Sequence, residues 1–412
     1  MRKRKHFLTL LLLAITILPV GVNAEGYQLN LQHVRNTGMG HAGAGLFSGA
    51  SSMHYNPGAL GMMSSKMEFT AGGSLVFTSN VFQSTVSDYH AKTENPIGTP
   101  FYVYFAGKIN DRIALGLGVN TPYGNTLKWE DNWAGRYLIE KISLKSITLL
   151  PTLSYKINDM FSIGAGVLYG INSVDLTKAL PLGGSSGDGE INLKGTTNSI
   201  GFNAGIYAQI NDKLSAGVSY RSLQRVKLDE GDVTLNVPTS LESMFPTDAK
   251  FNAELPFPSN LNVGVSYKLT EKLLLAVEVN FVGWSAYDSL NFDFTPNTPA
   301  LQDSRNPRLY ENTMIFRIGA EYEINKEIKA RSGFYFDQTP TQDDYYSPET
   351  PGANKLGFAG GVSMNLFENF SFDFALLYIY SFEREAYYTP DNFGGKYHTT
   401  ALIPNFGINY KF

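Results

Sequence analysis

From residue 66 to the carboxy terminus, apolar and polar residues alternate with a period of two, in runs joined by short polar links. In 112–121, Ile113, Leu115, Leu117 and Val119 share one face, and Ala114, Gly116, Gly118 and Asn120 share the other. In 200–210, Ile200, Phe202, Ala204, Ile206, Ala208 and Ile210 oppose Gly201, Asn203, Gly205, Tyr207 and Gln209. A period of two places such sets on opposite faces of a sheet. The runs predict fourteen strands, at 66–83, 98–109, 112–123, 143–157, 160–176, 198–210, 213–228, 251–269, 272–289, 308–324, 327–337, 354–367, 370–387 and 396–412. The number is even, as in bacterial single-chain barrels. Each run exceeds the ~9–11 residues that a strand needs to cross a bilayer.

The links are of two kinds. KIND at 108–111 and 156–159, QIND at 209–212, KLTEKL at 268–273, EINKEI at 323–328 and NLFENF at 365–370 read as six tight hairpin turns. The other links, such as 177–197, 229–250, 291–307 and 338–353, are long. Short turns at one end and long loops at the other suit an outer-membrane barrel. A soluble β-sandwich shares the period of two but does not explain the one-sided loops or the leader described below. The last run alternates Leu402, Pro404, Phe406, Ile408, Tyr410 and Phe412, with a terminal aromatic in the apolar register. The fold class is therefore all-β, a transmembrane antiparallel barrel of fourteen strands.

One stretch breaks the alternation. Residues 36–63, NTGMGHAGAGLFSGASSMHYNPGALGMM, are rich in Gly, Ala, Ser and Met and nearly free of charge. Gly-rich backbone folds tightly and approaches other backbone closely. Irregular backbone at membrane depth is tolerated only inside protein or a water-filled cavity. Fourteen strands fall between the barrels that side chains fill and those that leave a channel. The stretch is read as a plug, or hatch, in the lumen. Ahead of it, Arg2-Lys3-Arg4-Lys5, the apolar run 7–18 and Val22-Asn23-Ala24 have the form of a cleavable leader. That run is too short for a helical span of ~20 residues. The expected organisation is a signal peptide at 1–24, a hatch at 25–65 and a barrel at 66–412.

Composition narrows the function. Forty Gly, 24 Tyr and 27 Phe in 412 residues suit kinked strands with aromatic girdles. A net charge of −4 gives no broad basic face for nucleic acid. No Cys is present, which excludes disulfides and thiolate metal sites. His33, His41, His54, His90 and His398 match no zinc spacing and read as polar filling, three of them near the hatch. Asp343, Asp344 and Asp391 read as solvated loop carboxylates, with cation binding the alternative. No Ser–His–Asp set stands out, so the chain is not read as an enzyme, and no cofactor is expected.

Three stretches carry a family resemblance: Gly38-Met39-Gly40-His41-Ala42 with Asn56-Pro57-Gly58; Asn120-Thr121-Pro122-Tyr123-Gly124 with Asn132-Trp133-Ala134-Gly135-Arg136-Tyr137; and Arg331-Ser332-Gly333-Phe334-Tyr335-Phe336-Asp337-Gln338-Thr339-Pro340. With these the chain resembles the FadL/TodX family of outer-membrane transporters for long-chain fatty acids and other hydrophobic compounds. Gly58 departs from the Ala usual in the family. The resemblance implies a luminal hatch, a ligand pocket with basic groups at the ligand head, a greasy groove on two outer loops and lateral exit at a kink in the third strand. In this chain Gly116, Gly118 and Pro122 are candidates for that kink, since Gly and Pro both weaken a strand ladder. Gly there would equally make room for the hatch. Asn56, Pro57 and Gly58 are the candidate gate.

Following the alternation inward gives Arg221, Glu278, Arg317, Glu321, Arg331 and Asp373. Such charges mark either internal pairing or function. Arg308, Arg317 and Arg331 are candidates for holding a carboxylate through paired hydrogen bonds. Leu241, Met244 and Phe245 would share one face of a short amphipathic helix in the loop 229–250, and Leu180 and Leu182 stand in 177–197. Exposed apolar residues there would either meet ligand or pack the loops together. The expected activity is passive uptake of a hydrophobic ligand, most simply a long-chain fatty acid, by a monomer in the outer membrane of a Gram-negative-type bacterium. Its other partners would be the membrane's lipids and its assembly machinery. The alternatives are a general porin for small polar solutes, an aromatic-hydrocarbon channel of the same fold, or an adhesive barrel.

Overall fold

The structure, a computed structural model, describes residues 26–182 and 187–412. The leader assigned to 1–24 lies outside them. The alternating runs form one closed antiparallel barrel of fourteen strands. These are β1 (Met67–Ser74), β2 (Phe101–Lys108), β3 (Ile113–Lys128), β4 (Lys141–Lys156), β5 (Phe161–Pro181), β6 (Asp188–Gln209) and β7 (Leu214–Arg221). The second half comprises β8 (Ser259–Lys268), β9 (Leu273–Gly283), β10 (Thr313–Glu323), β11 (Ile328–Asp337), β12 (Lys355–Phe367), β13 (Phe370–Ser381) and β14 (Phe393–Lys411). Closure is direct: Phe69 of β1 faces Phe105 of β2 on one side and Tyr410 of β14 on the other.

The sequence pattern explains both faces. Leu115 and Leu117 are 46% and 52% exposed, whereas Ala114 and Asn120 on the other face are 2% and 1% exposed. Leu402, Phe406, Ile408 and Phe412 of the last strand are likewise exposed. Outward apolar side chains lose nothing in a bilayer, and the barrel satisfies the backbone polar groups that lipid cannot. Five of the six tight turns close by one device. In KIND, Asn110 Oδ1 accepts from Arg112 N and Ile113 N at 2.9 Å. Asn158, Asn211 and Asn325 repeat it at their turns, and the Thr270 hydroxyl does so at the fourth. Such side chains imitate a backbone turn.

Strand limits differ from the expectation where the backbone is deflected. The run 308–324 begins only at Thr313: Leu309 has φ +46°, and Arg308 N and Leu309 N both donate to Asp288 O at 2.8 and 2.9 Å. The run 251–269 is split by Pro258, which has no N–H to donate, into Lys250–Phe257 and β8. The run 66–83 is split after Ser74, with Phe77–Gln83 continuing against β14. The loop expected at 177–197 is mostly strand, because β5 reaches Pro181 and β6 starts at Asp188. Its Leu176, Ile191 and Leu193 stay buried while polar residues face outward, so the period of two persists above the membrane.

Residues 31–63 contain only short helical turns, Val34–Gly38, Gly49–Ser51, Ser52–Tyr55 and Pro57–Met62. Nearly all of these residues are buried, against inward positions of the wall. Three cross-strand glycine pairs receive this segment. Gly164 and Gly205 face each other on β5 and β6, Gly217 and Gly264 on β7 and β8, and Gly319 and Gly333 on β10 and β11. A Cβ on Gly164 or Gly205 would run into Pro57 and Asn56. One on Gly217 would overlap the Ala44 carbonyl, and one on Gly264 would lie 2.8 Å from Gly45 N. One on Gly333 would overlap Gly40 N, where Gly40 itself takes φ +65°. Backbone thus lies on backbone at three points of the ring.

Gly333→Ala is expected to cost about 1–3 kcal/mol by overpacking, taken up by displacement of Gly40. Limited trypsin digestion after Arg35 measures this: the variant should be cut faster than wild type. Gly360→Ala, whose Cβ would meet nothing closer than 4.0 Å, should be cut at the wild-type rate.

Candidate functional site

The segment is held to the wall by polar groups as well as by close approach. Asn56 is fully buried, and its Nδ2 donates to Ala44 O at 2.8 Å and Ile206 O at 3.0 Å, while Oδ1 accepts from Gly58 N. Pro57 starts a turn whose Gly58 carbonyl accepts from Ser162 Oγ at 2.7 Å and Ser154 Oγ at 3.2 Å. These three residues therefore tie two stretches of the segment to β4, β5 and β6. Glu278 accepts from Gly43 N and Ala44 N at 2.7 and 2.6 Å.

All six inward charges predicted from the alternation are buried. Glu321 accepts from Arg35 of the segment at 2.8 Å and from Arg331 at 2.7 Å, and Arg331 also donates to Asp373 at 2.8 Å. Glu278 pairs with Arg317. Arg221 donates to His54 Nδ1 at 2.9 Å and to His54 O at 3.0 Å. Asn120 Nδ2 donates to the same Nδ1 at 2.9 Å, so that nitrogen carries no proton. Burial, then the Arg221 and Arg317 guanidinium groups, hold His54 well below the usual imidazole range.

The third strand is irregular, though not at its glycines. Gly116 and Gly118 pair regularly with Ala106 and Tyr104 of β2, and on the inward side they make room for Met53. The ladder from β2 ends at Tyr102 opposite Asn120. Against β4 the register then skips, from Asn120–Thr148 to Tyr123–Ser146, so Thr121 and Pro122 together face one residue. This is a β-bulge, which bends a strand and ends pairing. Beyond it the freed edge is taken by the start of the described chain: Leu29 N donates to Pro122 O at 2.8 Å and Gly124 N to Tyr27 O at 2.9 Å.

A cavity of about 720 Å³ opens at this place. Its inner lining includes Leu31, His41, Tyr335, Leu377 and Ile403. Its outer lining includes Ile97, Phe101 and Ile147, which belong to the lipid-facing surface. The cavity therefore passes through the wall between β2 and the bulged part of β3. A smaller apolar cavity lies beside it, lined by Leu176, Leu193, Leu228, Phe251, Leu290 and Phe292 among others, and shares Asn125, Leu144 and Thr350 with the larger one.

The carboxylate candidates are already occupied. Arg308 sits in irregular chain, buried, with Nε and Nη2 on Glu349 Oε1 at 2.9 and 2.8 Å and Nη1 on the Tyr388 hydroxyl at 3.2 Å. Arg331 is taken by Glu321 and Asp373, while Arg317 gives Nη1 to Glu278 and has no partner for Nε and Nη2 among the described groups. The amphipathic helix expected around Leu241, Met244 and Phe245 is a single turn, Glu242–Met244, too short to present one apolar face. Met244 is 62% exposed, and none of the three lines the two cavities. Asp343 pairs with Arg384 at 2.7 Å. The sequence reading missed three participants. Arg35, the charge immediately preceding a nearly uncharged stretch, was the available signal for an ion pair with the wall. Tyr27–Leu29 and Glu349 carried no local signal, because their partners lie on distant segments.

A closed barrel with lipid-facing strands, a buried inner segment and a large cavity that reaches its outer face fits an outer-membrane transport protein. Residues 15–412 match the family "Outer membrane protein transport protein (OMPP1/FadL/TodX)". The chain belongs to this family of outer-membrane transporters for hydrophobic compounds. It is 23% identical over 412 residues to the long-chain fatty acid transport protein of Escherichia coli O6:H1, covering 90% of both chains. Its fold is shared with a FadL homologue of Pseudomonas aeruginosa (TM-score 0.82, 20% identity, covering 94% of this chain and 100% of that one). It is also shared with the toluene transporter TbuX of Ralstonia pickettii (TM-score 0.73, 20% identity, 93% and 99%).

If Arg308 serves structure through Glu349, Arg308→Met should destabilise the barrel by about 3–5 kcal/mol, because Glu349 is left buried and unpaired. The double variant Arg308→Met/Glu349→Met should recover most of that loss. Urea unfolding of the detergent-solubilised barrel, followed by its gel mobility with and without heating, gives both values.

Proposed function

We propose that this protein takes up long-chain fatty acids or comparable hydrophobic molecules without an energy source, as a monomer, and releases them sideways into the outer membrane. Cargo enters from the side of the long loops, rests in the mixed polar and apolar cavity above residues 31–41, and leaves between β2 and β3. Residues 26–65 act as the hatch, and Asn56, Pro57, Gly58 and Pro122 are the positions on which its seating and the side opening depend. The observation that carries this reading is the cavity through the wall at the Thr121-Pro122 bulge, lined inside by buried and outside by lipid-facing apolar residues. Lateral release suits a cargo that prefers hydrocarbon to water by ~0.8 kcal/mol per CH₂.

A second reading concerns the cargo. Arg308, Arg317 and Arg331 all have carboxylate partners, which favours a neutral molecule such as an aromatic hydrocarbon, whereas Lys141, Lys145 and Lys355 on the cavity lining favour an acid. Uptake of labelled oleate and of toluene by the same cells separates the two readings.

Deleting Pro122 tests the route. Asn120 and Tyr123 both point inward, so removal of one residue between them restores regular alternation and lets β2 and β3 pair onward. Uptake of labelled oleate by cells carrying the variant should fall at least ~10-fold, the loss of an exit rather than of affinity, with folded barrel at wild-type level in the membrane. Undiminished uptake by the folded variant contradicts lateral exit.

A further inference from the structure

We infer that the barrel wall and the N-terminal segment enclose a site for one small monovalent anion of chloride size, between Arg221 and Arg317. The site is separate from the cargo cavity. It is a polar cavity of about 30 Å³, enough for a particle of water or halide size. Its wall side is built from residues of β6 to β10, all at inward positions except Tyr220, and its inner side from Gln28, Asn30, His54 and Tyr55.

The lining is rich in unpaired donors. Arg221 and Arg317 are 8% and 5% exposed. Arg317 spends Nη1 on Glu278, yet its Nε and Nη2 have no partner among the described groups, and neither has Arg221 Nε. The Tyr55 hydroxyl is also unpartnered. Buried guanidinium N–H groups are costly to leave unsatisfied, and the two unpartnered acceptors on the same lining, Asn203 Oδ1 and Asn280 Oδ1, are uncharged and fewer than the three guanidinium donors. Charge points the same way. The ionised lining groups are two guanidinium groups and one carboxylate, Glu278, whose Oε2 is already used by Gly43 N and Ala44 N. His54 is neutral, as its doubly hydrogen-bonded Nδ1 requires. The cavity is left with one uncompensated positive charge at low dielectric, which a single anion neutralises.

Size and lining decide which anion. Every lining side chain but Tyr55 and Tyr220 is polar or charged, so nothing there receives an alkyl chain. Gln28 and Asn30 line both this cavity and the cargo cavity and form the partition between them. The anion therefore bonds the wall arginines to the Tyr55 end of the hatch and fastens one to the other.

The test uses the full barrel in detergent. Crystals soaked in sodium bromide should show one anomalous peak between Arg221 and Arg317. The unfolding midpoint should rise with the logarithm of chloride concentration at constant ionic strength, with gluconate as the large replacement anion. Arg221→Gln removes the uncompensated charge and keeps an N–H donor toward His54 O. This variant should show no anomalous peak and no chloride dependence of its midpoint. A bromide-free cavity containing only water, density continuous with a lipid carboxylate, or a midpoint indifferent to chloride in the wild type would each overturn the inference. These outcomes leave the side opening untouched, so the anion site can fail while lateral release stands.

Discussion

Backbone can lie against backbone only where no Cβ intervenes, and the whole molecule depends on that contact between its first forty described residues and its wall. Three cross-strand glycine pairs provide the contact, on β5–β6, β7–β8 and β10–β11, facing Pro57-Gly58, Ala44-Gly45 and Met39-Gly40. The strands must be regular to pair, and an irregular chain inside must satisfy its own polar groups against them. Small residues on both sides meet the two demands together. Asn56, Glu278 and the Ser154–Ser162 pair then supply the hydrogen bonds that water would otherwise make.

With the bore occupied in this way, charge and shape divide the interior. The inward ions form one balanced set, Arg35–Glu321–Arg331–Asp373, and one with excess positive charge, Arg221–Arg317–Glu278, and both brace the inner segment. Above them lies the large cavity, with polar and apolar walls, and there β3 leaves its neighbour. The same bulge that ends the β2–β3 ladder gives Tyr27–Leu29 an edge to pair with, so the start of the segment and the side opening share one set of backbone hydrogen bonds. Tyr27 is anchored in turn by the rings of Trp284, Phe257 and Tyr287.

The barrel was legible in the sequence because its two solvents impose the period: Leu115 and Leu117 face lipid, Ala114 and Asn120 face protein. The turns were legible because Asn110, Asn158 and Asn211 close them locally. The inward charges followed from the same alternation, but their partners did not, since Arg308 meets Glu349 and Arg35 meets Glu321 only through tertiary placement. A kink was expected in the third strand from Gly116, Gly118 and Pro122, and that strand carries a β-bulge. Gly116 and Gly118, however, serve the approach of Met53, and the irregularity lies at Thr121 and Pro122. A strand glycine signals close approach as readily as a break, and only the partner's position tells which. Leu241, Met244 and Phe245 suggested a helix by spacing alone, but a loop flanked by Pro238 and Pro246 sustains no more than one turn.

The claim at the centre is that cargo passes through the side of the barrel because the segment 31–63 fills its axis. Photo-cross-linking with a diazirine-bearing long-chain fatty acid, triggered during uptake and mapped by mass spectrometry, addresses it most directly. Adducts should fall on Ile97, Phe101, Thr121 and Ile147, at the mouth between β2 and β3. Adducts on the periplasmic turns at 109–112 and 157–160, with none at that mouth, would contradict the account.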